Sequence, residues 1–211
     1  MPHLLITAGP THEPIDRVRY IANRSSGKLG IALARAGQDA GWKVTLLLGP
    51  VEAEPPEGVA VHRFTTTADL EALLTEQFPG CDALIMAAAV ADYRPPTVGA
   101  AKLARSSGPL KLELEPTPDL VAACASRKRR EQVIIGFALE PAEQLEARAA
   151  QKLLGKGLDA IVANPIQTLS ADTIDAVWVL PDGRRINPGE MSKDAFARWL
   201  IDQLKSLRPM R

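Results

Sequence analysis

The chain has 211 residues, of which 46% are apolar, and its 25 basic and 25 acidic side chains give a formal net charge of zero. This length and apolar content suffice for one domain over residues 1–211 with a filled core. The balanced charge provides no overall field to recruit nucleic acid or a membrane surface, and no apolar run approaches the roughly 20 residues that cross a bilayer. Since no signal peptide precedes Leu4, we expect a cytoplasmic protein.

The first 36 residues predict a strand and a helix joined by an anion-binding loop. An apolar run at residues 4–6 ends in Thr7-Ala8-Gly9-Pro10, the pattern of a buried parallel strand that enters a turn. A helix is predicted from about Leu29. In Ser25-Ser26-Gly27 the hydroxyls are predicted to cap this helix, and the glycine leaves backbone N–H groups accessible because it has no Cβ. Phosphate or carboxylate is the expected ligand, since free N–H groups and the positive end of the helix dipole converge there.

Two common nucleotide-binding motifs do not fit this loop. A P-loop requires glycine six residues before its lysine, where Lys28 has Ala22, and Ser or Thr after that lysine, where Leu29 follows. A dinucleotide fingerprint requires three glycines directly after the strand, and only Gly9 is present. The loop is therefore either a simple helix cap or an anion site. Its basic and polar neighbours favour the anion site: Arg19, Asn23, Arg24 and Lys28.

Residues 29–89 alternate between predicted helices and strands. A helix over 29–40 ends before Gly41, and a second helix begins at Thr67, which is the predicted cap. Strands are predicted at 43–48, 59–64 and 83–89. This alternation predicts a Rossmann-like three-layer α/β fold with a mostly parallel central sheet. Ligands of such sheets lie beyond the carboxyl ends of the strands, so we expect the Gly9 turn and residues 87–89 on the same rim.

The segment 93–115 departs from this rhythm. Residues 93–108 contain Pro95-Pro96, Gly99 and several cationic side chains, which is typical of a mobile lid. Over residues 110–115 leucines alternate with charged residues, which predicts a strand with one apolar face. We expect this strand at a sheet edge or in an arm that pairs with a second subunit.

The remaining residues return to alternating elements. Thr117-Pro118-Asp119 predicts a helix start with Thr117 as the cap, and that helix is expected to reach about Arg130. Ser192 is predicted to cap a closing helix that extends to about Leu207. The other predicted elements are strands at 132–137 and 158–163, a helix at 141–156, and a hairpin of 176–180 with 184–187.

Cysteine and histidine give no sign of a metal centre. Cys81 and Cys124 lack metal-ligand spacing and lie in apolar segments, so we expect buried free thiols. His3, His12 and His62 are isolated. No ordering typical of a Ser/His/Asp hydrolase is recognisable.

Residues 6–28, which include Ile6-Thr7-Ala8-Gly9-Pro10-Thr11-His12-Glu13-Pro14 and Asn23-Arg24-Ser25-Ser26-Gly27-Lys28, resemble the opening of phosphopantothenoylcysteine synthetase. The resemblance extends over about residues 4–204. It implies a ligase that joins 4′-phosphopantothenate to L-cysteine through an acyl-cytidylate, with Mg²⁺ and CTP as cosubstrate and ATP as the less favoured nucleotide. In most bacteria this domain follows a flavin-dependent decarboxylase in one chain, so the present sequence resembles a free-standing form. The family also implies a homodimer, and a separate decarboxylase is a further candidate partner.

The resemblance implies roles for individual residues. Lys102 matches the lid lysine that faces the reacting α-phosphate, and Asn23 matches the asparagine that holds the acyl intermediate. Both are the implied catalytic residues. The implied substrate-binding residues are Gly9, Thr11, Arg19, Asn23, Ser25, Ser26, Gly27 and Ala89. The implied nucleotide-binding residues are Met86, Ala87, Ala88, Asp92, Lys102, Thr117, Pro118, Asp119, Leu120, Phe137, Lys152 and Lys156. Mg²⁺ is expected to be bound through the nucleotide phosphates rather than by protein ligands.

Such a set of residues suits acyl-nucleotide chemistry, which needs positioning and neutralisation of the α-phosphate charge more than a side-chain base. Two positions depart from the family pattern. The lid reads Lys102-Leu103-Ala104-Arg105, with one cation fewer than the frequent Lys-x-Lys-Lys, and Thr117 replaces the usual Asn. A nucleotide-binding module without catalysis is the alternative function. A nucleotide-dependent oxidoreductase is disfavoured by the missing fingerprint.

Overall fold

The computed structural model describes residues 1–104, 108–168 and 171–207. Its helices are α1 (Lys28–Asp39), α2 (Thr67–Gln77), α3 (Leu120–Ser126), α4 (Leu145–Lys156) and α5 (Lys193–Leu207), with 3-10 turns at Phe78–Gly80, Ala142–Gln144 and Ile166–Thr168. Its strands are β1 (His3–Ala8), β2 (His12–Pro14), β3 (Tyr20–Ala22), β4 (Lys43–Leu48), β5 (Ala60–Arg63), β6 (Ala83–Met86), β7 (Tyr93–Arg94), β8 (Glu115–Pro116), β9 (Val133–Glu140), β10 (Ala160–Pro165), β11 (Thr173–Ile174), β12 (Val177–Val179), β13 (Arg185–Ile186) and β14 (Met191–Ser192).

The central sheet has the strand order β13-β12-β10-β9-β6-β1-β4-β5. Neighbouring strands from β10 to β5 are parallel, whereas β12 and β13 are antiparallel. In β1, Leu4 and Ile6 pack with residues of α1 and α5, and Leu5 packs on the opposite face with residues of α2, α3 and α4. Because successive side chains of a strand point to opposite faces, an apolar strand of this kind requires helices on both sides. The predicted three-layer α/β fold is confirmed.

The strand order reverses beside β1, which positions a crevice at the carboxyl edge of the sheet. Strands β4 and β5 extend the sheet on one side of β1, and β6, β9 and β10 extend it on the other. At this edge Ala89 donates its N–H to the Gly9 carbonyl at 2.9 Å. The predicted common rim is confirmed. The strand predicted over 83–89 ends at Met86, and beyond it Ala88 donates its N–H to the Thr7 side-chain hydroxyl instead of to a backbone carbonyl.

The strand predicted over residues 110–115 is wrong for the single chain. Residues 109–114 have no regular structure, and Leu110, Leu112 and Leu114 are 60%, 42% and 42% exposed. Strand pairing begins at β8, which bonds to β7 and is reinforced by the Arg94–Glu115 ion pair at 2.9 Å. No strand within the described residues lies beside the alternating leucines. Their pairing with a second subunit remains a prediction.

Two helix starts were predicted at the wrong residue. The cap of α2 is Thr66 rather than Thr67: its hydroxyl accepts the Asp69 N–H at 3.1 Å, and the Asp69 carboxylate accepts the Thr66 N–H at 2.8 Å. The cap of α3 is Asp119 rather than Thr117, because the Thr117 hydroxyl donates to the Ala91 carbonyl. Helix α3 ends at Ser126 rather than near Arg130.

The cap of α5, the hairpin near the C-terminus and the state of the two cysteines are as predicted. Ser192 caps α5 by accepting the Ala195 N–H at 3.2 Å, and β12 and β13 form the predicted hairpin. Cys81 and Cys124 are buried free thiols. None of the helices within the described ranges is long and apolar enough to cross a membrane.

Candidate functional site

A cavity of about 770 Å³ opens at the carboxyl ends of β6, β9 and β10. Its walls come from the start of α1, the loop after β6, the start of α3 and the second half of α4. Most of the residues predicted from the sequence line it: Asn23, Ser25, Ser26, Gly27, Met86, Ala87, Ala88, Ala89, Asp92, Thr117, Pro118, Asp119, Leu120, Phe137, Lys152 and Lys156. Gly9, Thr11, Arg19 and Lys102 are not lining residues.

The start of α1 forms one wall of the cavity, but without the predicted serine caps. The N-cap residue is Gly27, with a left-handed φ of 69°, and no side chain caps the helix. Ser25 instead accepts the Gly27 N–H at 3.4 Å. The backbone N–H groups of Lys28, Leu29 and Gly30 have no hydrogen-bond partner among the described residues, so they remain available to an anion.

A glycine contact brings this helix start close to the sheet. A Cβ on Gly30 would lie 2.3 Å from the Ala8 Cβ. Real Cβ atoms do not approach that closely, so α1 packs this tightly on the end of β1 only with glycine at position 30. The N-terminus of α1 is thereby held against the rim of the sheet.

Gly9 and Thr11 support the cavity wall from behind. Gly9 accepts the Ala89 N–H, and the Thr11 N–H donates to the Ala89 carbonyl at 3.3 Å. The fully buried Thr11 hydroxyl accepts the Ala91 N–H at 2.9 Å. The sequence predicted both residues as substrate contacts, whereas in the fold they hold the loop of residues 87–92 in place.

This support continues into a buried polar cluster. Thr11 Oγ1 lies 3.3 Å from Thr67 Oγ1, and Thr67 donates its hydroxyl and its N–H to Glu13 at 2.7 and 2.8 Å. Glu13 is only 2% exposed. The network connects the start of α2 to the loop that lines the cavity, although no residue of the cluster faces the cavity.

Asn23 and Asp92 present polar groups inside the cavity. Asn23 donates from Nδ2 to the Val90 carbonyl at 2.8 Å, which leaves Oδ1 for a ligand. The exposed Asp92 carboxylate has no hydrogen-bond partner among the described residues, so it is available to ligand hydroxyl or amine groups. Its backbone carbonyl accepts the Thr117 N–H at 3.0 Å, which joins the loop after β6 to the start of α3.

Two lysines of α4 enter the cavity, each paired with a carboxylate. Lys152 lies 2.6 Å from Glu140, and Lys156 lies 2.9 Å from the α3 cap Asp119. Burial by itself raises the pKa of Glu140, but hydrogen bonds from Lys152 and Arg148 outweigh it and hold this pKa below its usual value. The predicted spacing of the two lysines on one face of the helix is confirmed.

Arg19 and Lys102 lie outside the cavity wall, and Arg19 bonds to Leu103, the neighbour of Lys102. The buried Asp16 carboxylate accepts the Leu103 N–H at 3.0 Å, and Arg19 donates to the Leu103 carbonyl at 3.1 Å. Hydrogen bonds from the backbone N–H groups of Leu103 and Val18 hold the pKa of Asp16 below its usual value. Lys102 is exposed, and Arg105 lies outside the described residues.

The structure adds cavity residues that sequence reasoning missed. Asn164 and Lys193 both line the cavity, and Asn164 Oδ1 is a buried polar atom that has no hydrogen-bond partner among residues 1–104, 108–168 and 171–207. Neither residue lies in a recognisable motif, and both are far along the chain from the first loop. Five basic and two acidic side chains line the cavity, so a chain of zero net charge concentrates positive charge here: Arg24, Lys28, Lys152, Lys156 and Lys193 against Asp92 and Asp119.

No resident metal centre is evident in the described part of the chain. No group of three His, Cys, Asp or Glu side chains there is arranged to hold a metal ion. The cavity offers cationic side chains and backbone N–H groups, which are ligands for anions rather than metals.

Comparisons with known proteins agree with this architecture. The chain is 43% identical over 165 residues to a cysteine/cysteine sulfinic acid decarboxylase from an unknown prokaryotic organism, covering 78% of this chain and 46% of that protein. It is 38% identical over 210 residues to the coenzyme A biosynthesis bifunctional protein CoaBC of Bacillus subtilis (strain 168), covering 97% of this chain and 51% of that protein. The chain thus spans about half the length of the curated relatives it matches.

A solved structure and a family model cover nearly the whole chain. The crystal structure of the C-terminal domain of a coenzyme A biosynthesis bifunctional protein CoaBC matches with a TM-score of 0.85 and 33% identity, covering 98% of this chain and 95% of that one. The model of the DNA/pantothenate metabolism flavoprotein C-terminal domain matches residues 2–207. On the fold, the cavity and these matches, the chain belongs to the family of the DNA/pantothenate metabolism flavoprotein C-terminal domain.

Proposed function

We propose that the chain is a nucleotide-dependent ligase that joins 4′-phosphopantothenate to L-cysteine in coenzyme A biosynthesis. The observation that carries the proposal is one cavity that brings Asn23 and the nucleotide-binding residues implied by the family resemblance, except Lys102, together with five cationic side chains. Membership of a pantothenate-metabolism family and similarity to CoaBC support the substrate class.

The reaction requires two bond exchanges. A carboxylate oxygen of 4′-phosphopantothenate attacks the α-phosphorus of CTP, and the bond from this phosphorus to the bridging oxygen breaks to release pyrophosphate. The amine of cysteine then attacks the acyl carbon, the bond to CMP breaks, and the amine proton passes to solvent. Both steps depend on alignment of reactants and on neutralising phosphate charge, which positioned amides and lysines provide.

Different residues of the cavity have different roles in this reaction. The N–H groups at the start of α1 and Lys28 bind phosphate oxygens, and Lys152 and Lys156 bind the nucleotide. Asn23 holds the acyl intermediate through Oδ1, which accepts from N–H or O–H groups of the intermediate, because its Nδ2 is already bonded to Val90. Lys102 reaches the α-phosphate once the lid leaves its contact with Asp16.

Mg²⁺ would enter the site on the phosphates of the nucleotide. The cavity fits this arrangement, since its described residues form no three-ligand metal centre but do offer cations for a phosphate chain. When bound, Mg²⁺ supplies further neutralisation of the phosphate charge. CTP is the proposed nucleotide, because the segments Ala91-Asp92 and Pro118-Asp119 are of the bacterial type, and ATP is the less favoured alternative.

The test is pyrophosphate release with Mg²⁺, 4′-phosphopantothenate and cysteine, with CTP and ATP run in parallel. Sustained release with CTP that requires all three substrates is expected. Lys102→Ala should abolish formation of the acyl-cytidylate, and Asn23→Asp should let this intermediate accumulate. Lys43→Ala, at an exposed position on the opposite edge of the sheet, is the matched control and should be unchanged. No release with either nucleotide, despite measurable CTP binding, would instead indicate a nucleotide-binding module without catalysis.

We also propose that the functional unit is a homodimer, with residues 110–115 as the contact. Exposed Leu110, Leu112 and Leu114 alternate with charged residues, the pattern of a strand that lacks a neighbour. Light scattering coupled to gel filtration should give twice the chain mass, and Leu112→Lys should shift the protein to monomer. A monomeric wild-type protein at micromolar concentration would contradict this proposal. A separate flavin-dependent decarboxylase is a candidate partner, which co-purification would test.

A further inference from the structure

Lys193 is a cavity residue to which neither the family resemblance nor the first loop assigns a role. It is the first residue of α5 and lines the same cavity as Lys28, the first residue of α1. The two helices lie side by side, since Arg35 of α1 lies 3.9 Å from Asp194 and a Cβ on Gly37 of α1 would lie 3.9 Å from Ile201 of α5. Their first residues are close enough for Lys28 to interact electrostatically with Lys193. Two lysines and two helix N-termini thus meet at one end of the cavity.

A short ribbon holds this arrangement. Strand β11 pairs with β14 so that Thr173 lies opposite Ser192, and the Lys193 N–H donates to the Asp172 carbonyl at 3.2 Å. Ile174 of this ribbon is 2% exposed and belongs to the core beneath it. Lys193 is therefore fixed by backbone pairing and core packing.

Positive charge exceeds negative charge around Lys28 and Lys193. Lys28 forms an ion pair with Asp172 at 2.7 Å, and Asp172 is also close enough to Lys193 for electrostatic interaction. Burial, and then the positive charge of Lys28, hold the pKa of Lys193 below its usual value, an effect that Asp172 only partly offsets. One carboxylate thus faces two ammonium groups and the free N–H groups of α1, and a bound anion would relieve the repulsion between the lysines.

A second observation indicates a ligand in the same cavity. Asn164, at the end of β10, has a buried amide oxygen without a hydrogen-bond partner in the part of the chain that the structure describes. A buried polar atom without a partner is costly, so such an atom in a cavity wall is expected to bond to a ligand or to the ligand's water. Asn164, Ile174, Lys28 and Lys193 all line the same cavity.

We propose that Lys193 and Lys28 form a phosphate-binding subsite, the Lys28–Lys193 site. In the absence of phosphate, Asp172 forms an ion pair with Lys28, and a bound phosphate replaces Asp172 as the partner of this lysine. The inference rests on the proposed function for the identity of the phosphate, which is either the leaving diphosphate of the nucleotide or the phosphate of 4′-phosphopantothenate. Asp172 is 86% exposed at its side chain, so its ion pair with Lys28 is weak and can be exchanged for a phosphate.

Isothermal titration of the full chain tests the site with inorganic pyrophosphate, CTP, CMP and 4′-phosphopantothenate. Lys193→Ala should weaken pyrophosphate binding by about tenfold, because a hydrogen bond to a charged group is lost. Lys193→Arg should retain most of the affinity. Asp172→Asn should strengthen binding by roughly twofold to fivefold, since the competing ion pair is gone. Lys205→Ala, near the other end of α5 and paired with Asp202, is the matched control and should change nothing.

The ligands distinguish the two sources of phosphate. If Lys193→Ala weakens the binding of CTP but not of CMP or 4′-phosphopantothenate, the site binds the leaving diphosphate. If it weakens the binding of 4′-phosphopantothenate alone, the site binds the phosphate of that substrate. Unchanged binding of all four ligands by Lys193→Ala, or an equal loss in Lys205→Ala, would overturn the inference. Because binding is measured without turnover, an inactive protein that still shows the Lys193 effect would refute the ligase function alone.

Discussion

Replacing Thr11 by valine separates two roles for this residue. The family resemblance implies a substrate contact, whereas in the fold the hydroxyl lies behind the cavity wall and accepts the Ala91 N–H at 2.9 Å. Valine has nearly the same shape but offers no acceptor, and Ala91 is 2% exposed, so water cannot replace the lost bond. A buried donor left without a partner costs about 1–3 kcal/mol.

This cost predicts a measurable loss of thermal stability. For a domain of this size, each kcal/mol lowers the melting temperature by roughly 2–4 °C, so Thr11→Val should lower it by about 2–12 °C in differential scanning calorimetry. At 20 °C, well below melting, the KM for each substrate should change less than about threefold, because no ligand contact is removed.

Two variants control this experiment. Thr11→Ser keeps the acceptor and should retain most of the stability. Thr65→Val makes the same substitution at an exposed hydroxyl nearby and should stay within about 0.5 kcal/mol of wild type. A Thr11→Val protein that melts within 1 °C of wild type but has a KM raised tenfold or more would show that Thr11 contacts substrate, and would refute the supporting role.

Three further predictions follow from the same contacts. Asp16→Asn should speed hydrogen exchange of the Leu103 amide by about tenfold, measured by mass spectrometry, because the charged acceptor that holds the lid is lost; unchanged exchange would contradict this contact. Glu140→Gln should lower the urea unfolding free energy by roughly 1 kcal/mol at pH 7, since Lys152 loses its partner. Because the folded pKa of Glu140 is lowered from its usual 4.5, this contribution is present above that value and lost as the pH falls through the folded pKa, so the gap between variant and wild type should shrink at pH 3.5; a gap independent of pH would count against the ion pair. Burial raises the pKa of Cys81 to about 12, so iodoacetamide should alkylate it at pH 8 only after unfolding, and rapid labelling of the folded protein would show that the thiol is accessible.

Local pattern was sufficient for much of this fold. Apolar runs and their spacing placed the parallel strands and most helices, because strand and helix periods are properties of short segments. The residues that cap the helices were harder to predict from local sequence. Thr66 and Thr67 are both competent caps, and Thr67 is excluded only because Glu13, distant in sequence, binds its hydroxyl and N–H.

The predicted strand at 110–115 failed for a related reason. Alternation describes a surface with one apolar face, but a strand also requires a neighbour with free backbone groups. No such neighbour lies beside Leu110, Leu112 and Leu114 within the described chain, so the pattern alone was insufficient.

For this protein the sequence by itself determined the α/β class and the rim at which the cavity opens, because the carboxyl ends of parallel strands meet at one edge of the sheet whatever the strand order. Most of the site residues named from the family resemblance line that cavity. Only the tertiary structure decided which predicted residues face the cavity and which support it, as Gly9 and Thr11 do. It also brought Lys193 to Lys28, since α1 and α5 are separated by most of the chain and meet through a shared core. Contacts of that kind arise from packing, which no short stretch of sequence records.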